Sequence, residues 1–309
     1  MKTITVVAAC FNEEGNVEEL YIQVRDVFAE LSTYRWEIIF IDNASTDGTV
    51  ALLRKIAGSD DRVKVIVNAR NFGAVRSGFY ALLQAQGDGV VAMAADLQDP
   101  PAMIRDFVDK WESGYRVVLA VKTRSKESRL FYLLRTAYYS MVKRLAEIEL
   151  TAHSTGFGLY DQSVINVLRG IDDPYPYFRG MISDIGFESA KVPFTQPHRK
   201  RGITKNNFYA LYDLAMLGLT SHSKVPLRLA AMLGFAMSFC SFAVAVAYFL
   251  YKLINWYSFP VGQAPIVIGL FLFSSVQLFF IGILGEYIGA IHTQVLHRPL
   301  VVERERINF

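Results

Sequence analysis

Asp96 and Gln98 stand where an apolar run, Val91-Ala92-Met93-Ala94-Ala95, breaks off just before Asp99-Pro100-Pro101. The pattern is that of a buried strand that stops, shows a carboxylate and an amide at its C-terminal edge, and enters a helix. In open α/β sheets that edge is where ligands bind. Asp96 offers a hard oxygen to Mg²⁺ or Mn²⁺, the usual partner of a nucleotide diphosphate, and Gln98 offers a second. Spacing alone leaves a plainer role open, because strand-end aspartates are often only helix caps. Asp99 is given that plainer role, capping the helix that Pro100 and Pro101 begin.

The elements that hold these residues alternate along the chain. Residues 4–10 (ITVVAAC) form an apolar strand, and Asn12 precedes Glu13 and Glu14, whose acids suit the positive end of a helix reaching about Leu31. Residues 37–41 form a second strand, ending in the turn Asp42-Asn43-Ala44-Ser45-Thr46-Asp47-Gly48 before a helix at 49–57. A strand at 63–67, the loop Asn68 to Gly73, a helix at 75–86, a strand at 90–94, a helix at 101–113 and a strand at 117–121 follow. Such alternation implies a mostly parallel sheet covered on both faces. Three strand ends finish in Asp42, Arg70 and Asp96, and a parallel sheet brings them to one rim.

Of the 309 residues, 52% are hydrophobic and 20% charged, and mean hydropathy is +0.25. This is too apolar for an ordinary soluble enzyme, so membrane segments are expected. The net charge of +3 gives no argument for nucleic acid. The two cysteines, Cys10 and Cys240, fall in a strand and an apolar helix, which fits a reducing compartment rather than a disulfide framework. The N-terminal apolar run meets Glu13-Glu14 too soon for a signal peptide.

After residue 122 the pattern changes. Lys122, Arg124, Lys126, Arg129 and Arg135 lead into a helix of roughly 127–149, and residues 186–194 make a further strand. His198-Arg199-Lys200-Arg201-Gly202-Ile203-Thr204-Lys205 then sets four basic side chains around a glycine, which suits phosphates or a plain exposed loop. Residues 207–222 have a broad apolar face with tyrosines, suited to a membrane interface. Ala230 to Tyr251 carries no charge, and about 22 residues cross a bilayer core of about 30 Å. A second uncharged stretch runs from Leu253 to Gly285, its spanning part beginning near Ile266. Lys224, Arg228, Arg298, Arg304 and Arg306 lie at the outer ends, and Lys252 alone lies between the spans. That asymmetry places both termini and the large domain in the cytoplasm. The expected layout is a catalytic domain at 1–206, juxtamembrane helices at 207–228, spans at 229–254 and 264–291, and a cytoplasmic tail at 292–309.

The order of motifs is more specific than any one of them. Ala8-Ala9-Cys10-Phe11-Asn12-Glu13-Glu14, Asp42-Asn43-Ala44-Ser45-Thr46-Asp47-Gly48-Thr49, Ala69-Arg70-Asn71-Phe72-Gly73 and Asp96-Leu97-Gln98-Asp99-Pro100-Pro101 resemble the GT-A glycosyltransferases of family 2. Arg199-x-x-Gly202-x-Thr204-Lys205 and two C-terminal spans narrow the resemblance to the polyprenyl-phosphate glycosyltransferases, the bactoprenol glucosyltransferase and dolichyl-phosphate mannose synthase group. The resemblance covers nearly the whole chain. It implies an α/β GT-A domain, Mg²⁺ or Mn²⁺, a UDP-sugar donor with glucose the group's common choice, a polyprenyl (undecaprenyl) phosphate acceptor, and inversion at the anomeric carbon. It also implies a multi-pass protein of the cell (inner) membrane. A flippase partner and a homo-oligomer are compatible with the pattern.

Carried over position by position, the resemblance makes Ala9, Phe11, Glu13 and Ala95 line the nucleotide-sugar pocket and has Asp42 hold base or ribose. Asp96 and Gln98 bind the metal, Arg124 meets phosphate, and Arg199 with Lys205 gathers the donor diphosphate and the acceptor phosphate. Asp96, Arg124 and Lys205 are the catalytic set, while Arg70 and Asn71 support their loop. Two positions depart from the family pattern. Ala94 stands where Asp-x-Asp-x-Gln has its first acid, and Gly156, in Ser154-Thr155-Gly156-Phe157-Gly158-Leu159, stands where related chains often carry an acid. Asp161 is a substitute base whose simpler role is to cap a helix starting near Ser163. Two other readings share part of the pattern: a processive polysaccharide synthase, and a membrane scaffold or flippase partner that has lost catalysis.

Overall fold

The computed structural model describes residues 1–124, 154–197, 216–217, 225–254 and 263–309. The expected helix at 127–149, Arg199 and Lys205 of the basic loop, and nearly all of 207–222 lie outside the described residues. In chain order the elements are β1 (Thr3–Cys10), α1 (Val17–Glu30), β2 (Arg35–Asp42), α2 (Thr49–Ala57), β3 (Val63–Asn68), α3 (Ala74–Gln84) and β4 (Gly89–Ala94). A 3₁₀ turn at Pro101–Met103 leads into α4 (Ile104–Glu112) and β5 (Val117–Arg124). Then come β6 (Ser154–Asp161), α5 (Gln162–Arg169), α6 (Phe178–Asp184), β7 (Ser189–Thr195), α7 (Val225–Ile254), α8 (Gln263–Val295) and β8 (Glu303–Ile307).

One eight-stranded sheet runs in the order β7-β5-β6-β4-β1-β2-β3-β8. Strands β4, β1, β2 and β3 are parallel neighbours, so their C-terminal ends share a rim as expected. The central strands are mostly apolar because both faces are covered. Ile4, Val6 and Ala8 of β1 join Ile38 and Phe40 of β2 in a core under α1, α2 and α4. Val7, Ile39 and Ile41 face the other way, toward Phe79, Leu82, Ile165 and Leu168 of α3 and α5.

Four details differ from the sequence expectation. Helix α1 begins at Val17 rather than at Glu13-Glu14. The backbone N–H groups of those two acids are taken by Thr49 Oγ1 at 2.9 Å and Asp47 Oδ2 at 3.4 Å, which holds them in a turn. Asp99 caps no helix; Pro100 precedes the 3₁₀ turn without a side-chain cap. The glycine-bearing segment Ser154 to Leu159, given no element from the sequence, lies in strand β6, antiparallel to both β4 and β5. Gly158 makes this packing feasible, since a Cβ there would lie 2.1 Å from the Val118 carbonyl oxygen. Finally, the tail returns to the domain. Strand β8 pairs antiparallel with β3, and Asn308 Nδ2 donates to the carbonyls of Ala57 (2.8 Å) and Val63 (2.9 Å).

Between domain and tail run α7 and α8. Val225–Val244 and Leu272–Val295 are long and apolar enough to cross a membrane. Their large side chains, among them Phe235, Phe239, Leu272 and Phe279, are exposed.

Candidate active site

Strand β1 is the switch point of the sheet: β2 and β3 extend to one side of it and β4 to the other. Diverging loops at such a point leave a crevice beyond the strand ends. The backbone is strained there. Asn12 after β1, Ala44 after β2 and Leu97 after β4 have φ of 57°, 62° and 60°. Left-handed backbone at non-glycine residues costs about 1–3 kcal/mol each and persists where surrounding contacts over-determine it.

Those contacts are present. Asn12 N–H donates to Ser45 Oγ at 2.8 Å, and Thr46 N–H donates back to Asn12 Oδ1 at 2.8 Å. Gly48 N–H donates to Glu14 Oε2 at 2.9 Å. The loops after β2 and β3 are joined by amides: Asn43 Nδ2 donates to Asn71 Oδ1 at 2.8 Å, and Asn68 Nδ2 donates to Asn43 Oδ1 at 3.2 Å. Asn71 Oδ1 also accepts from Gly73 N–H, so Asn71 supports its loop as expected. Arg70 stacks on Phe72 at 4.0 Å.

A cleft of about 440 Å³ opens between the sheet and helices α3 and α6. Small residues make the space: Ala9 on β1, Ala92 and Ala94 on β4, Ala74 and Gly78 on α3, and Gly156 on β6. Asp96, Gln98 and Asp99 supply acid and amide to its lining, and Thr155, Tyr177, Arg179 and Gln196 supply further polar groups. Gln98 N–H donates to Asp96 Oδ1 at 3.1 Å, which closes the turn around Leu97.

Of the residues singled out from the sequence, Ala9, Asp96 and Gln98 line this cleft together. Phe11, Glu13, Asp42 and Ala95 do not. Ala95 is 1% exposed and belongs to the core below. Glu13 is buried, its Oε2 accepting from Asn16 Nδ2 at 2.5 Å. Asp42 ends β2 with no exposed surface. Its Oδ2 accepts from Ser45 N–H at 2.9 Å, while its Oδ1 meets no donor among the described residues. Burial, partly offset by the Ser45 bonds, pushes this carboxyl above the usual range. Arg124 ends β5 opposite Thr195. Asp161 caps α5 through Ser163 N–H at 2.9 Å and accepts from Trp111 Nε1 at 2.8 Å, a structural role.

Asp99 and Arg179 were missed as cleft residues. Asp99 Oδ2 accepts from the Ala94 N–H at 2.9 Å, bracing the turn from inside. Burial pushes it up to about 6, against that backbone bond, and neighbouring Asp96 adds to the rise. The Pro-Pro pair behind Asp99 disguised it as a cap. Nothing in the sequence around Arg179 marks it, since α6 reaches the cleft only through the tertiary fold.

Residues 5–169 match the family model "Glycosyl transferase family 2", and residues 225–291 match "GtrB C-terminal hairpin". Similar curated proteins include the uncharacterized glycosyltransferase YkcC of Bacillus subtilis, 32% identical over 96% of this chain and 92% of that protein. The bactoprenol glucosyl transferase of Shigella phage SfV is 31% identical over 98% of this chain and 99% of its own length. Among solved structures, the mannosyltransferase PcManGT from Pyrobaculum calidifontis, in complex with GDP-Man and Mn²⁺, matches 94% of this chain and 86% of its own at 18% identity and a TM-score of 0.46. The chain therefore belongs to glycosyl transferase family 2, a GT-A-type domain whose residues 225–291 continue as a GtrB-type hairpin.

Proposed function

We propose that the protein transfers a hexose, glucose first among them, from a UDP-sugar to a polyprenyl phosphate at the cytoplasmic face of the membrane, with inversion. The observation that carries this is the Asp96–Gln98 turn on a cleft at the switch point, in a chain whose next elements are two apolar helices. The bactoprenol glucosyl transferase relatives support both acceptor and sugar.

The residues fit a divalent cation of a particular kind. Among the described residues no three His, Cys, Asp or Glu side chains form a protein cage. Mg²⁺ commonly makes do with one or two carboxylates, keeps several waters, and takes the rest of its ligands from substrate phosphates. Asp96 and Gln98 would hold it, and when bound it would offset charge on the donor diphosphate. Asp42, fully buried with its Oδ1 meeting no donor among the described residues, would reach base or ribose only once the turn after β2 moves aside.

The acceptor explains how the reaction runs with glycine at 156. A phosphate monoester has its second pKa near 6 and arrives largely dianionic. Its oxygen attacks the anomeric carbon, the bond from that carbon to the UDP oxygen breaks, and UDP leaves with the electron pair. No proton has to be removed from the nucleophile, so no general base is needed. The protein's tasks are to set the oxygen against the carbon and to supply cations against repulsion. Arg124, Arg199 and Lys205 are proposed for that second task.

The β8–β3 pairing supports one-sided topology, since a hairpin that leaves the domain and returns to its sheet begins and ends on the same side. Basic residues at the outer ends of the helices support a cytoplasmic assignment for that side. Ala94 and Gly156 favour the scaffold reading as the alternative. One assay separates the readings: radiolabelled UDP-glucose and undecaprenyl phosphate are incubated with the full chain in detergent, with and without EDTA. Label in the organic phase that EDTA abolishes is expected. No lipid product from any UDP- or GDP-sugar refutes the proposal and favours the scaffold, and a long water-soluble polymer favours the synthase.

A further inference from the structure

We propose that Arg179 is a catalytic residue of this chain, binding the phosphate of the lipid acceptor in the cleft and holding it for attack. The inference rests on the lipid-phosphate acceptor proposed above and adds a residue from outside the basic loop.

The cleft has a charge problem. Asp96 and Asp99 both line it, and the acceptor brings up to two further negative charges to a donor that already carries a diphosphate. Among the described residues lining the cleft, Arg179 is the sole cation. It enters from α6, beside Thr155 and Gly156 of β6, the part of the lining where the family pattern would place an acid.

The guanidinium is held in place rather than waving in solvent. Its Nη1 donates to the Ser154 carbonyl at 3.2 Å, two residues before Gly156. Its centre lies 5.5 Å from the Tyr177 ring, a cation–π distance. On the far side of the same glycine, the Tyr160 hydroxyl donates to the Gly156 carbonyl at 2.8 Å, which fixes the backbone beside Ser154. The guanidinium is a planar fork of N–H donors, a geometry that matches phosphate.

Gly156 completes the arrangement. Its φ of +91° is left-handed, and a Cβ on it would sit 3.3 Å from the Phe178 ring. The position is shaped to carry no side chain, which keeps a carboxylate from neutralising the neighbouring guanidinium.

The test is steady-state kinetics of the full-length protein in detergent, varying undecaprenyl phosphate and UDP-glucose separately for Arg179→Gln and Arg179→Lys. Loss of a charge-assisted phosphate contact predicts that Arg179→Gln lowers kcat/KM for the lipid about 10- to 100-fold. The UDP-glucose KM and the calorimetric affinity for UDP should stay within about twofold on the same footing. Arg179→Lys keeps the charge without the fork and should recover part of the loss. It also supplies the reading if Arg179→Gln does not fold. Equal losses toward both substrates, tracking a fall in melting temperature, would mean that Arg179 only braces Ser154 and would overturn the proposal, as would an unchanged lipid kcat/KM. A lipid product from the unaltered chain together with either of those results sinks this inference alone, whereas no lipid product from the unaltered chain sinks both it and the proposed function.

Discussion

Replacing Gly156 separates a reaction that needs a base from one that does not. The steric part follows from the backbone. At φ +91° a side chain is strained by about 1–2 kcal/mol. A Cβ would also press on Phe178 Cδ1 at 3.3 Å, and turning that ring off its rotamer costs about 0.5–1.5 kcal/mol. Gly156→Ala should therefore lose about 2–3 kcal/mol of stability, read by denaturant or thermal unfolding. Gly156→Asp carries the same strain and adds a carboxylate next to the site proposed for the acceptor phosphate. A like charge about 5 Å away at an effective dielectric of about 20 raises the barrier by about 3 kcal/mol, roughly a hundredfold in rate. The assay is glucosyl transfer to undecaprenyl phosphate at neutral pH by the native chain and both variants, with the alanine chain as the steric control. The aspartate chain should be the slowest, about 100-fold below the alanine chain. If it is faster than the alanine chain, the acid restores a function the reaction needs, and base-free attack is refuted.

Other outcomes follow from the same geometry. Asp99, raised by burial to about 6 from an ordinary 3.8, binds its proton more tightly folded than unfolded, so stability should fall as pH rises from about 4 through about 6 and stay lower above. At about 1.4 kcal/mol per pH unit the loss from this group is about 3 kcal/mol, and Asp99→Asn measured in EDTA should remove about that much of the fall; a slope left unchanged by the substitution assigns it elsewhere. Gly158→Ala would drive a methyl into the Val118 carbonyl, 2.1 Å from the Cβ position, and should cost at least about 3 kcal/mol or prevent folding; a melting temperature like that of the unaltered chain would contradict the β5–β6 register. Ending the chain at residue 302 should expose the β3 edge and promote aggregation in size-exclusion chromatography, where a monodisperse profile would show β8 to be dispensable.

How much of this was legible in the sequence depended on whether the signal was local. Strands β1 to β4 and helices α2 and α3 declared themselves by apolar runs between polar turns, and their parallel alternation put Asp42, Arg70 and Asp96 on one rim. Strand β6 hid behind its glycines: Gly158 is there for a close approach to β5, and Gly156 for a left-handed backbone against Phe178. Strand β8 hid because ERERI has charged side chains on its exposed face and only the edge of β3 gives it a partner. The candidate site divided the same way. Asp96 and Gln98 were visible from a strand end, whereas Asp99 needed the Ala94 N–H, and Arg179 needed the packing of α6, to be seen as part of the cleft.

The β8 strand also sets an order of assembly. It is translated after α7 and α8, yet it completes the sheet begun at the N-terminus, with Arg54 clasping Glu305 and Tyr80 Oη donating to Glu303 Oε1 at 2.9 Å. While the ribosome is still making the hairpin, the nascent domain carries a raw border at β3, open to pairing with any passing chain. The border is sealed only once both helices are made and their exit end is back beside the domain. A hairpin that fails to form would thus leave its own mark on the glycosyltransferase domain, a border that proteases and chaperones can read.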